Sequence, residues 1–302
     1  MNEFLSDCEA FLDHQDIKLL RALSSDEEVV KSIEKVFEAP EYAGKYLVML
    51  KDRPKALYII AKLSERISRY FDGENRERVF ELFLKSLRLI SDLKDKSINQ
   101  SVFFLVKEAI ERRIDDGDYE TAALLITEFY HFGFKSQLKR ILFKVGEITE
   151  KGDFERAINI LSRLKQNEVI RELKTQIYIE WGRRYMELKD YLAAEIQLKE
   201  ALNFAENDLD VKEIKMLLYD ALKNQNKFED AMKQLETIDT SSPIEELKVL
   251  REKAKLLLSW AEKSKDVDNA LEKYDAAYRI AVKIGDSELA RKCLEKANVL
   301  KK

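Results

Sequence analysis

Residues able to do acid–base or nucleophilic chemistry are sparse in this 302-residue chain and poorly spaced for it. His14 and His131 are the only histidines, and neither stands near a second histidine or an acid at the spacing of a relay or metal site. Cys8 and Cys293 lie near opposite ends, with neither zinc-type nor redox-type spacing. They read as small apolar residues in a reducing compartment. Ser-x-x-Lys occurs, as at Ser32/Lys35 and Ser162/Lys165, without the accompanying motifs of a serine–lysine enzyme. No glycine-rich loop is present to cradle a phosphate. Asp115-Asp116-Gly117-Asp118 offers carboxylates to a cation, but it lacks the alternating acids and distal Glu of a calcium loop. A turn followed by a helix cap accounts for it better. The expectation is a protein without catalysis, cofactor or metal.

The elements that would position any functional side chain are helices. Only 8 glycines and 3 prolines interrupt a chain rich in Leu, Lys, Glu, Ala and Arg, and 45% of its residues are hydrophobic. The charged share of 36% also matches a thermophile's surface. The net charge is −4, with 11 acids against 5 bases over residues 1–50, so neither end offers the basic surface of a general nucleic-acid binder. The acidic start MNEFLSDCE lacks the pattern of a signal peptide, and no apolar run approaches a membrane span. A cytoplasmic protein is expected.

Residues 1–52 read as an acidic, helical N-terminal cap, with short helices over 2–12, 15–23, 26–38 and 41–50 and Pro40 as a breaker. Residues 53–97 read as a degenerate helix pair. Pro54 opens its first helix, whose buried face is Leu57, Ile60, Ala61, Ile67 and Phe71. The second helix runs from about Asn75 to Leu93.

Over residues 98–283 a turn-plus-helix signature recurs five times. It is Gly117-Asp118-Tyr119 with Ala122, Gly152-Asp153-Phe154 with Ala157, Lys189-Asp190-Tyr191 with Ala194, Asn226-Lys227-Phe228 with Ala231, and Lys265-Asp266-Val267 with Ala270. Gly, or an Asn that tolerates the same conformation, ends one helix in the left-handed region, and Asp caps the next. The aromatic fills the wedge between the two helices. Ala, three residues on, lets their axes cross closely. Residues 284–302 read as a C-terminal capping helix, with Leu289, Cys293 and Leu294 on one face.

The stretch TQIYIEWGRRYMELKDYLAAEIQLKEALNFAE, with Tyr178, Trp181, Gly182 and Tyr185 on one helix and Ala194, Leu198 and Ala201 on the next, resembles the tetratricopeptide repeat. That family's unit is about 34 residues long. The departures are Ile110, Val145, Tyr219 and Leu258 where Gly182 supplies the expected small residue, and Gly146 one place off register. The resemblance implies an all-α, right-handed superhelical solenoid of antiparallel helix pairs with helical caps at both ends. It also implies a concave groove lined by the first helix of each pair.

By register, that groove holds Lys107, Leu142, Ile179, Met216 and Lys255, joined by Arg183, Met186, Asp220 and Lys223. Phe143 is the alternative to Leu142, and packing within the array is the alternative to the apolar strip. Glu111, four residues after Lys107, would repel the carboxylate-terminated peptides that some of these arrays clamp. The aromatic run Phe129-Tyr130-His131-Phe132-Gly133-Phe134 is either an exposed interface or a wedge filler between units.

The function implied is a scaffold or adaptor binding a protein partner along the groove. The alternatives are a structural subunit of a larger complex, self-associating or not, and an RNA-binding helical-repeat protein. No nucleic acid and no membrane is expected as partner.

Overall fold

A computed structural model of the chain describes residues 3–39, 42–93 and 96–301; Pro40 lies outside them. Among the described residues there are seventeen α-helices and no strand. The chain divides into two compact units, Met1–Ile141 and Leu142–Lys302. No helix among the described residues is long and apolar enough to cross a membrane.

The first unit opens with four short helices, α1 (Glu3–Glu9), α2 (His14–Leu23), α3 (Glu27–Glu38) and α4 (Ala43–Met49). Asp13 and Asp26 cap α2 and α3, their carboxylates accepting from Asp16 N–H and Val29 N–H at 3.1 and 3.3 Å. Then come α5 (Pro54–Ile67), α6 (Gly73–Leu93), α7 (Lys96–Asp115), α8 (Tyr119–Glu128) and the start of α9 (Lys135–Glu150). Pro54 occupies the first turn of α5, where a missing N–H costs nothing. The helix stops at Ile67 and a short 3-10 turn follows, so Phe71 is 40% exposed rather than on the buried face.

Helix α5 packs against α2, α3, α6 and α7, and every residue from Ala56 to Glu65 is buried. A helix covered on all sides takes its charged residues inside with it, and those must find opposite charges. Lys62 Nζ lies 3.6 Å from carboxylate oxygens of Asp13, Asp16 and Glu108. Glu65, 1% exposed, sits between Arg112 and Arg113, and Arg113 also reaches Asp118 at 3.5 Å. Burial pushes the Glu65 carboxyl upward against the downward pull of Arg112 and Arg113.

The second unit holds the rest of α9 and then α10 (Phe154–Arg163), α11 (Glu168–Glu187), α12 (Tyr191–Phe204), α13 (Asp208–Asn224), α14 (Phe228–Glu236), α15 (Pro243–Lys263), α16 (Val267–Lys283) and α17 (Ser287–Leu300). From α10 onward each helix packs on the next, and α11 also touches α13.

The turns explain why. Gly152, Lys189, Asn226 and Gly285 all have positive φ. In each case the next residue's N–H donates back to a carbonyl five residues earlier: Asp153 to Ile148, Asp190 to Tyr185, Lys227 to Leu222 and Asp286 to Ala281. These are Schellman closures, which reverse the chain in two residues and satisfy the last carbonyls of the helix. In the first unit Gly117 and Asp118 close α7 in the same way, Asp118 donating to Arg113. Asp118, Asp153, Asp190 and Asp286 then each cap the following helix through a side-chain oxygen.

Lys265-Asp266 departs from the expected pattern. Lys265 has no positive φ; Ser264 is extended, and Asp266 accepts from Asp268 N–H, two residues on. Gly285-Asp286, read only as the approach to a closing helix, carries the full closure and places Ala290 where the other copies have their alanine. In the closing helix Cys293 is buried, but Leu294 is 45% exposed.

Ala122, Ala157, Ala194, Ala231 and Ala270 are all at or below 2% exposure. Of the glycines, only Gly182 has a neighbour within 4 Å of an added Cβ, which would lie 2.7 Å from Cγ of Leu198. Ile110, Val145, Tyr219 and Leu258, which stand where Gly182 stands in its own pair, are buried too. The aromatic wedge is a row of rings in which Trp181 stacks on Phe154, Tyr178 and Tyr185, and Tyr178 stacks on Phe204.

Candidate functional site

Helices α13 and α15 lie side by side through α14, and between them opens a cavity of about 590 Å³. Met216, Tyr219 and Asp220 on α13, Val249 and Lys255 on α15, and Ile238 after α14 line it. It forms because α13 presents the residues at 212, 216, 219 and 220 on one face, one helical turn apart. The Thr237–Ser242 connection, held to α13 by Lys215 on the Thr237 carbonyl at 2.6 Å and Lys212 on Ser241 Oγ at 3.4 Å, leads to Pro243, which starts α15 with Ser242 as its cap.

Most of the charge around the cavity is already satisfied. Lys212 Nζ meets Glu245 at 3.3 Å, and Glu252 accepts from Tyr219 O–H at 3.1 Å and from Lys255 at 2.7 Å. Lys223 donates to Tyr219 Oη at 3.3 Å and stands over the Tyr219 ring. Burial raises the Tyr219 phenol, with the neighbouring Glu252 carboxylate adding to it, so this hydroxyl stays a donor at every ordinary pH. Arg251 turns to Asp286 at 2.8 Å.

Asp220 is different. Its carboxylate has no hydrogen bond or ion pair among the described residues. Burial raises it from the ordinary aspartate value, with Lys223 and Lys255 pulling the other way and Glu252 adding to the rise.

Of the residues expected along a groove, the structure brings Met216, Asp220 and Lys255 together in this cavity. Lys223 lies in an adjoining depression that shares Arg251 and Lys255 with it. Ile179 takes the alternative of packing within the array: it is 1% exposed and packed with Leu198, Ala201, Ile214 and Leu218. The reason is local: α12 and α13 both close over α11 at that level.

Arg183 is exposed and paired with Glu213 and Glu180, and Met186 is half-buried. Leu142 is half-buried, whereas Phe143 is 67% exposed. In the first unit, Lys107 pairs with Glu111 at 3.8 Å. The aromatic run resolves residue by residue. Phe129 and Phe134 are buried, Phe103 stacks on Phe134, and Tyr130 and His131 face outward. Asp118 is a helix cap, and Asp115 pairs with Arg140 at 2.7 Å.

Sequence reasoning missed Ile238, Val249 and Tyr219 as cavity residues. The signal present was the break at Thr240-Ser241-Ser242-Pro243, which lengthens the connection between α14 and α15. Among the described residues no group of His, Cys, Asp and Glu is arranged to hold a metal ion, and both cysteines are free and buried. In comparison with known proteins, no family model matches this chain and no curated protein is significantly similar to it.

Proposed function

We propose that the chain is a protein-interaction scaffold whose second unit is a run of tetratricopeptide-like helix pairs, and that its partner docks in the cavity between α13 and α15. The observation that carries this reading is the meeting of Met216, Asp220 and Lys255 over an apolar floor of Ile238 and Val249. The repeated Schellman closures and buried alanines support the repeat reading. A partly apolar cavity with a few fixed polar groups is the usual form of a recognition site.

The test replaces Met216 and Val249 together by Asp in the full chain. Both are half-buried and pack at the margin of the core around Tyr219 and Leu256, so circular dichroism and a urea midpoint first establish that the double variant folds, and Met216→Ser with Val249→Ser serves as the milder pair. Partners captured by the wild-type chain, identified by mass spectrometry, should be lost. Capture unchanged in the double variant would refute the docking site. Ile179→Asp is unsuitable for this purpose, because a charge at that core position unfolds the helix pair before any binding is measured.

A further inference from the structure

We infer that the α13–α15 cavity recognises a peptide segment carrying a lysine or arginine next to an aliphatic or aromatic residue, the cation meeting Asp220 and the apolar side chain resting on Met216, Ile238 and Val249. This inference rests on the docking reading above and specifies the partner's chemistry.

The argument is one of charge accounting. Eight charged side chains line the cavity: Lys212, Lys248, Arg251 and Lys255, against Asp220, Asp239, Glu245 and Glu252. Internal pairing removes Lys212 with Glu245 and Lys255 with Glu252, and Arg251 is taken by Asp286. What remains is Lys248, Asp239 and Asp220. Lys248 and Asp239 are exposed and solvated, while Asp220 is half-buried.

Two cations stand near Asp220 and favour its charged form, Lys223 and Lys255, yet neither makes an ion pair or hydrogen bond with it. Lys223 is committed to Tyr219, and Lys255 to Glu252. A carboxylate held partly out of water without a direct partner costs stability, and an ammonium or guanidinium in contact with it would recover part of that cost. The apolar floor beside it accepts the stem of that side chain or a neighbouring residue. An acidic segment would instead place like charge against Asp220.

The experiment pans a displayed random-peptide library against the intact chain, with parallel selections on Met216→Asp, Asp220→Asn and Asp220→Lys. Wild type should enrich Lys or Arg adjacent to Leu, Ile, Met or Phe. Synthetic versions of those peptides should bind Asp220→Asn about ten-fold more weakly or worse. Asp220→Lys should enrich acidic residues at the same place. Asp220→Asn is expected to fold, because it removes an unpartnered charge.

Peptides that Met216→Asp abolishes, but that show no basic preference or ignore Asp220→Asn, would overturn this inference and leave the docking reading standing. Peptides indifferent to Met216→Asp, or no enrichment at all, would overturn both.

Discussion

At Gly182 the lack of a side chain sets the distance between two helices. An alanine there would put its Cβ 2.7 and 2.8 Å from Cγ and Cδ2 of Leu198, a fully buried residue. Cγ is a branch point and not a flexible tip, so relief requires moving the whole side chain or the helix. Alanine gains about 1 kcal/mol of helix propensity over glycine, but overpacking a filled core costs about 1–3 kcal/mol. We expect Gly182→Ala to lower stability by about 1 kcal/mol net, read from the midpoint of a urea titration. Leu198→Ala in the Gly182→Ala background should then cost less than it does in the wild type. Additive losses would show that the two positions do not share one space.

At the scale of the element, the repeats are tied by side chains that reach one unit along the chain. Gln176 reaches Asp210 at 3.1 Å, Lys212 reaches Glu245, and Tyr219 reaches Glu252. The strongest tie is Glu195 on α12, which accepts from Lys199 at 2.6 Å, Lys227 at 2.7 Å and Gln225 at 2.9 Å. The last two residues belong to the turn that closes α13. Burial alone would raise Glu195, but these donors outweigh it and bring the carboxyl down from 4.5 to about 2. A folded-state pKa below the unfolded one adds stability above the unfolded value, and that stability is lost as pH falls through the folded value. The tie should therefore be complete above about pH 4.5 and gone by about pH 2. Lys199 is largely exposed, so solvent screening discounts the gain. We expect Glu195→Gln to cost about 1–2 kcal/mol at neutral pH and nothing near pH 2. Denaturant midpoints across that range would show it, and a pH-independent difference would contradict the assignment.

Across the whole molecule, what could be read in the sequence was what repeats locally. Helix positions, the left-handed closures and the close-packed alanines follow from short-range chemistry, so Gly117, Gly152 and Ala231 announce themselves. Lys62 and Glu65 do not, since on one helix they look like solvent-facing charges; only the packing of α2 and α7 over α5 makes them interior. Ile179 and Met216 hold equivalent register positions, yet one is core and the other lines a cavity, because the layer above each differs.

That dependence on neighbours has a measurable consequence within the second unit. Where each helix packs on those next to it, stability is close to a sum of nearest-neighbour terms, and damage spreads only as far as those terms carry it. Ala231 is fully buried in α14, in a cluster with Tyr219, Leu222, Phe228, Leu235 and Leu256. Ala231→Leu forces extra methylenes into that cluster at a cost of about 1–3 kcal/mol. Hydrogen exchange followed by mass spectrometry should show the largest loss of protection in α13, α14 and α15. The loss should be smaller in α12 and α16 and slight in α10. An equal loss in every helix of the unit would mean that it unfolds as a single cooperative body, and the nearest-neighbour description would fail.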